Sequence, residues 1–240
     1  MVAAGGDVTR EIGQRFEEYC FELLKSYFAE GAWCLEQSYG SGQRRTPDIR
    51  LFEGGECNLV VECKAKRMTF AAKFGTAPLE EAAQGFSEIS KGVFQIWRYA
   101  AHVRRGLIPG ERLATDVVGM VLTLDPWAQM SRQQAAAIVA EAKKLADEDG
   151  DIAEVDRMPV AIMSILDVEH VAMYATLPSF LEAARLGATA ERAGWMLYSL
   201  YDLVTSERLP LKQNPFKSRI GEFLPWWDQI KEQSGATAES

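Results

Sequence analysis

Two short strings hold the residues best suited to chemistry in this 240-residue chain: Thr46-Pro47-Asp48-Ile49-Arg50 and, a short hairpin later, Leu59-Val60-Val61-Glu62-Cys63-Lys64. A carboxylate opens the first apolar run, and a carboxylate and an ammonium stand two residues apart on the second. Alternate side chains on a strand share a face, so Glu62 and Lys64 project together and are expected to leave the core, while Val61 and Cys63 project the other way. Thirteen residues, 49 to 61, separate Asp48 from Glu62, and folding them as a hairpin returns Glu62 to Asp48. Two carboxylates plus a main-chain carbonyl suffice for a hard cation that keeps several of its waters. Asp48, Glu62 and the Cys63 carbonyl are therefore the candidate ligands for Mg²⁺ or Mn²⁺. A metal held there lowers the pKa of a coordinated water and offsets charge growing on a phosphate ester. Lys64 would orient the attacking water, help deprotonate it, or stabilise the pentavalent transition state, and its ammonium keeps the carboxylates ionised without metal.

These residues need elements to position them. Ile12, Phe16, Tyr19, Cys20, Leu23, Leu24, Tyr27 and Phe28 recur at helical spacing, which predicts a helix over about 9 to 29 with Thr9 as N-cap and Gly31 as its stop. Trp33 to Tyr39 reads as a first strand, followed by a flexible basic stretch, 40 to 45. Asp48 to Phe52 and Cys57 to Lys64 read as strands joined by the hairpin signal Glu53-Gly54-Gly55-Glu56. A helix from about Leu79 to Arg105, interrupted near Gly85 or Gly92, and a buried strand from Asp116 to Leu124 complete an α-β-β-β-α-β order. Beyond Pro126 the pattern predicts a helix from Ser131 to about Ala146, an acidic turn at 147 to 151, and a strand pair, Val160 to Leu166 and His170 to Ala175. A long helix from Ser179 to about Glu207 and a proline-rich tail with Phe223, Trp226 and Trp227 follow. The expected architecture is α/β, a mixed central sheet flanked by helices. Residues 1–128 form the core; residues 129–240 form a mainly helical elaboration packed on it.

Composition excludes several alternatives. Four cysteines without a C-x-x-C pair give no zinc or disulfide framework, and two histidines leave little material for histidine-based sites, so any metal is expected to be oxygen-bound. No run of about 18 apolar residues would span a bilayer, and the first residues have neither a basic nor an apolar leader region; a cytoplasmic protein without membrane contact is expected. The net charge of -8 argues against a surface that grips nucleic acid all round. Residues 41 to 75, however, hold seven basic side chains against four acidic ones, with Arg44, Arg45, Lys66, Arg67 and Lys73 flanking the carboxylates as candidate phosphate contacts. Arg104 and Arg105 suit a helix C-terminus, while Lys212, Lys217 and Arg219 make a second basic patch. Trp195, Tyr198, Leu200, Tyr201 and Leu203 read as helix core. Neither His102 nor His170 has a partner that sequence can place.

On Pro47-Asp48 and Glu62-Cys63-Lys64 the chain resembles the PD-(D/E)xK phosphodiesterase superfamily, with its restriction-endonuclease-like fold. Two further strings extend the resemblance over residues 10 to 125. Gly13-Gln14-Arg15-Phe16-Glu17 is similar to a segment of Mrr-type restriction enzymes and archaeal Holliday-junction resolvases, which implies Glu17 as an accessory metal ligand beside its competitors Glu18 and Glu22. Gln95-Ile96-Trp97-Arg98-Tyr99 is similar to the Gln-x-x-x-Tyr motif of RecB-type nuclease domains, which implies Gln95 at the site and Tyr99 on nucleic acid, since residues four apart share a helix face. The resemblance implies a Mg²⁺- or Mn²⁺-dependent deoxyribonuclease acting in restriction, defence or repair, with DNA as its partner and a homodimer as a modest expectation. Two alternatives stand beside it. One is a nuclease-fold subunit that docks a protein partner through residues 126 to 240; the other is an RNA-directed nuclease, because these motifs do not read a 2′-hydroxyl.

Overall fold

Phe16, Cys20, Leu23, Leu24, Tyr27 and Phe28 are all buried, and that stripe makes α1 (Ala4–Tyr27) one outer layer of the fold. In this computed structural model, which describes residues 4–66, 78–126, 132–206 and 209–217, the helix begins before Thr9 and leaves Ile12 half exposed. Thr9 is thus inside α1 and not its cap.

The strands follow as β1 (Ala32–Leu35), β2 (Ser38–Tyr39), β3 (Arg44–Arg45), β4 (Ile49–Glu53) and β5 (Glu56–Lys64). The first strand is shorter than expected. The chain leaves the sheet after Leu35, and β2 pairs with β3 as a separate small ribbon. Thr46 ties off this detour: its amide donates to the Gln37 carbonyl and its Oγ1 accepts from the Gln37 amide, both at 2.9 Å. Gly54 and Gly55 take φ of 60° and 83°, the positive pair that a tight two-residue hairpin between twisted strands requires.

Helix α2 (Pro78–Arg104) runs without the expected interruption. Gly92 has a packing role: a Cβ there would stand 3.0 Å from Lys64 Cε and 3.3 Å from both Val121 methyls, so its absence lets α2 lie close on the sheet. Then come β6 (Leu113–Thr123), α3 (Arg132–Asp149), a 3-10 turn (Glu154–Asp156), β7 (Val160–Ser164), α4 (Ile165–Ala172), α5 (Leu177–Gly187) and α6 (Leu197–Val204). Helix α4 takes up the end of the first strand of the expected pair and the start of the second, and residues 173–175 form no strand. Ser164 Oγ accepts from the Asp167 amide as N-cap, and Val168, Val171 and Ala172 bury themselves at helical spacing. The single long helix expected from Ser179 divides into α5 and α6. Thr176 and Ser179 form a capping box for α5, and the buried Asp167 carboxylate accepts from the Leu197 and Tyr198 amides at the start of α6.

The main sheet has the order β1-β4-β5-β6-β7, antiparallel through β5 and parallel from β5 to β7. Both faces are covered. Leu51, Val61, Met120 and Met163 pack with α1, α4, α5 and α6, whereas Val60, Val121 and Ile162 pack with α2 and α3. The protein is an α/β fold with a five-stranded mixed sheet between helical layers. No described helix is long and apolar enough to cross a membrane.

Candidate metal and phosphate site

The β4–β5 ladder ends at the pair Ile49↔Val61, which leaves Asp48 and Glu62 as the next residues of adjacent strands. Pro47 is buried and fixes the chain as it enters β4. Asp48 Oδ2 then accepts from the Cys63 amide at 2.7 Å. In an extended strand a residue's N–H and C=O point to the same side, so the Cys63 carbonyl also faces the Asp48 side, past the last ladder pair. Glu62 and Lys64 share the face beneath α2. They do not leave the core as expected, because the helix covers that face: Glu62 is only 3% exposed. Lys64 Nζ lies 3.2 Å from Glu62 Oε2 and donates to Gln95 Oε1 at 2.7 Å. The structure brings Asp48, Glu62, Lys64 and Gln95 together from three elements.

Glu17 joins them from α1. Burial raises its carboxyl to about 7, and the neighbouring Asp48 and Glu36 carboxylates add to the effect. Burial likewise raises Glu62 to about 8, with Asp48 contributing, and raises Asp48 against the pull of the Cys63 amide and Lys64. Burial alone would lower Lys64, but Glu62 and Asp48 outweigh it and hold the ammonium above its ordinary range. These directions have one cause. Three carboxyls share one ammonium in a poorly solvated place, so each holds its proton more tightly than usual, and a divalent cation is the other way to neutralise them.

That donor set fits a hard divalent ion, though not as a cage of side chains. Among the described residues no group of three or more His, Cys, Asp or Glu side chains stands arranged to hold a metal. The fit rests on Asp48, Glu62, the Cys63 main chain and water, with Glu17 in electrostatic reach. Such a partly hydrated shell is what Mg²⁺ accepts.

Glu62 and Gln95 also line a cleft of about 420 Å³ that opens toward Arg44, Arg45, Arg98 and His102. Arg44 and Arg45 are exposed on β3, and Arg45 reaches Glu36 at 2.8 Å. Lys66 is half-buried just past β5. Arg67 and Lys73 lie outside the described residues, as do Arg219, Phe223, Trp226 and Trp227. Tyr99 lies on the same side of α2 as Gln95, but its ring is buried and its hydroxyl donates to Glu111, which also holds the buried Arg50. Tyr99 also lines the cleft, with its hydroxyl already engaged by Glu111. Arg50, one of the seven basic residues counted above, is structural for the same reason.

Other basic residues have structural partners too. Arg104 makes a two-pronged contact with Asp156, and Arg105 pairs with Asp151. Lys212 donates to the Tyr27 and Ala175 carbonyls and sits over the Phe28 ring, capping the end of α1. Of the five residues expected as helix core, Leu200 and Tyr201 are buried, whereas Trp195, Tyr198 and Leu203 are exposed. Sequence reading missed Glu36, whose carboxylate acts on both Asp48 and Glu17 from the irregular link after β1, where no periodicity marks it. It also missed the hydrogen bond between Tyr39 and His102, which lie 63 residues apart.

No protein-family model, no curated protein and no solved structure matches the chain.

Proposed function

We propose that this protein is a Mg²⁺- or Mn²⁺-dependent nuclease that hydrolyses phosphodiester bonds in DNA, built on a PD-(D/E)xK, restriction-endonuclease-like core. The observation that carries the reading is that Asp48, Glu62, Lys64 and Gln95 meet from the start of β4, from β5 and from α2, with Glu62 and Gln95 lining a cleft that Arg44, Arg45 and Arg98 also line. The meander of β1, β4 and β5, followed by α2 and a parallel β6, supports the resemblance drawn from the motifs. β7 extends that core by one strand.

Asp48, Glu62 and the Cys63 carbonyl would hold the cation. When bound, it supplies Lewis acidity toward the phosphate and a more acidic water. The chain's own groups do the rest. Lys64, hydrogen-bonded to Glu62 and Gln95, would donate a hydrogen bond to negative charge growing on the phosphoryl oxygens. Gln95 fixes the direction of that ammonium by accepting one of its hydrogens. α2 shields Glu62 from water, which strengthens each of these electrostatic contacts.

Incubating the purified protein with plasmid and linear DNA, with Mg²⁺, Mn²⁺ or a chelator, tests the reading. Metal-dependent cutting is expected, falling by about 10²–10³ in Asp48→Ala and Lys64→Ala, the usual cost of removing an electrostatic group from a catalytic centre. Variants that cut as well as the parent would overturn the site assignment. RNA added as competitor decides the substrate class.

A further inference from the structure

On α2, Gln95, Arg98 and His102 are spaced three and four residues apart, so they form one stripe that rises about 10 Å along the helix. Gln95 holds Lys64 at one end. At the other end His102, 5% exposed, is hydrogen-bonded through Nδ1 to the Tyr39 hydroxyl, which fastens the β2–β3 ribbon against the helix. Arg44 stands on that ribbon and Arg98 on the helix, both on the cleft. Most carboxylates of the lining are already engaged: Glu62 by Lys64, Glu36 by Arg45 and Asp151 by Arg105. Arg98 rests on the Phe94 ring, and no described carboxylate lies within ion-pair distance of Arg44 or Arg98. Asp149 is the remaining acid on the lining.

We propose that this cleft binds a single strand of nucleic acid, with Arg44 and Arg98 gripping phosphates that neighbour the one at the Asp48–Glu62–Lys64 cluster. Size favours one strand over two. The 420 Å³ cleft has no room for a duplex, whereas one strand needs only a groove that tracks its backbone. Chemistry favours phosphate. Guanidiniums recognise it with forked hydrogen bonds, and the ribbon and the helix each bring one to the cleft, Arg44 and Arg98. The strand would run from the Tyr39–His102 junction to Gln95 and Glu62, so the β2–β3 ribbon is a wall of the substrate channel. This inference rests on the nuclease reading for its direction along the cleft, but strand binding itself does not depend on cleavage.

Fluorescence anisotropy with a labelled single-stranded 12-mer, in chelator and without divalent metal, separates the two. Arg44→Ala with Arg98→Ala is expected to weaken binding at least tenfold and to reduce the salt slope by about 0.7 per arginine, whereas Lys25→Ala, exposed on α1 and off the cleft lining, leaves it unchanged. Arg44→Glu tests the same wall without touching the core, because Arg44 is exposed; a loss at least as large as that of Arg44→Ala is expected. An unlabelled blunt duplex should compete at least tenfold less well than the single strand. Equal competition by the duplex, or unaltered binding by the double variant, overturns the proposal. If the parent cuts DNA but binding ignores both arginines, the cleft assignment fails and the nuclease reading stands. If both arginines govern single-strand binding and no metal elicits cutting, the strand site stands and the nuclease reading fails.

Discussion

A carboxyl whose pKa is higher in the folded chain than in the unfolded one holds its proton better when folded, so it stabilises the protein below the ordinary carboxylate range and loses that contribution as pH rises through its folded value. Glu17, raised to about 7, and Glu62, raised to about 8, both follow this sign, while Lys64 stays charged across the window. The metal-free protein is expected to lose melting temperature between about pH 5 and about pH 9, and Glu62→Gln to flatten that profile. Mg²⁺ should restore more melting temperature at the upper end than at the lower; a flat profile in the parent would remove the buried-charge argument. A second residue-scale prediction concerns Arg50, which is 1% exposed and held by Glu111 and the Leu35 carbonyl. Glu111→Ala strands that guanidinium without its charge partner and should cost about 3–5 kcal/mol in urea unfolding. Tyr99→Phe removes one hydrogen bond and should cost about 1 kcal/mol. Similar losses for the two would mean that Glu111 is not the partner that matters.

At the scale of elements, the site depends on how closely α2 approaches β5. Gly92 permits that approach, and its helical neighbours place Gln95 over Lys64. Gly92→Ala gains about 1 kcal/mol of helix propensity but overpacks the interface by about 1–3 kcal/mol. The two Val121 methyls are fixed on the sheet, so the end of Lys64 has to move. Thermal melting should therefore shift by a few degrees in Gly92→Ala while metal-dependent cleavage falls more than tenfold. Unchanged cleavage would show that Lys64 tolerates a looser helix. The hairpin, by contrast, was legible in advance. Glu53-Gly54-Gly55-Glu56 is a local signal, and it alone brings Asp48 back to Glu62, which is why that much of the site could be placed from residue spacing. The elements misjudged were β1 and β2, parted by the Thr46–Gln37 pairing, the strand pair read at 160–166 and 170–175, where residues 165–172 are a helix capped by Ser164, and α5 and α6, read as one.

For the whole molecule, the later half is part of the same core and not an appendage beside it. β7 extends the sheet alongside β6, and the Phe28 and Phe180 rings meet at 4.8 Å between α1 and α5. Urea unfolding is expected to be a single cooperative transition by fluorescence and circular dichroism, and residues 1–128 alone should fail to give one. An independently folding 1–128 fragment would contradict this. Sequence by itself determined the local terms: the helical stripe of α1, the hairpin, the shared face of Glu62 and Lys64, and the donor types that favour a hard cation. Each follows from backbone periodicity and side-chain chemistry within a few residues. Tertiary structure decided what burial and distance control. Whether the Glu62 face meets water or α2, which partner engages the Tyr99 hydroxyl, and whether Arg44 and Arg98 reach one cleft are settled by contacts between separate elements of the chain. Burial is also what makes three ordinary carboxyls hold their protons, because desolvation belongs to the assembled layers and not to any string of residues.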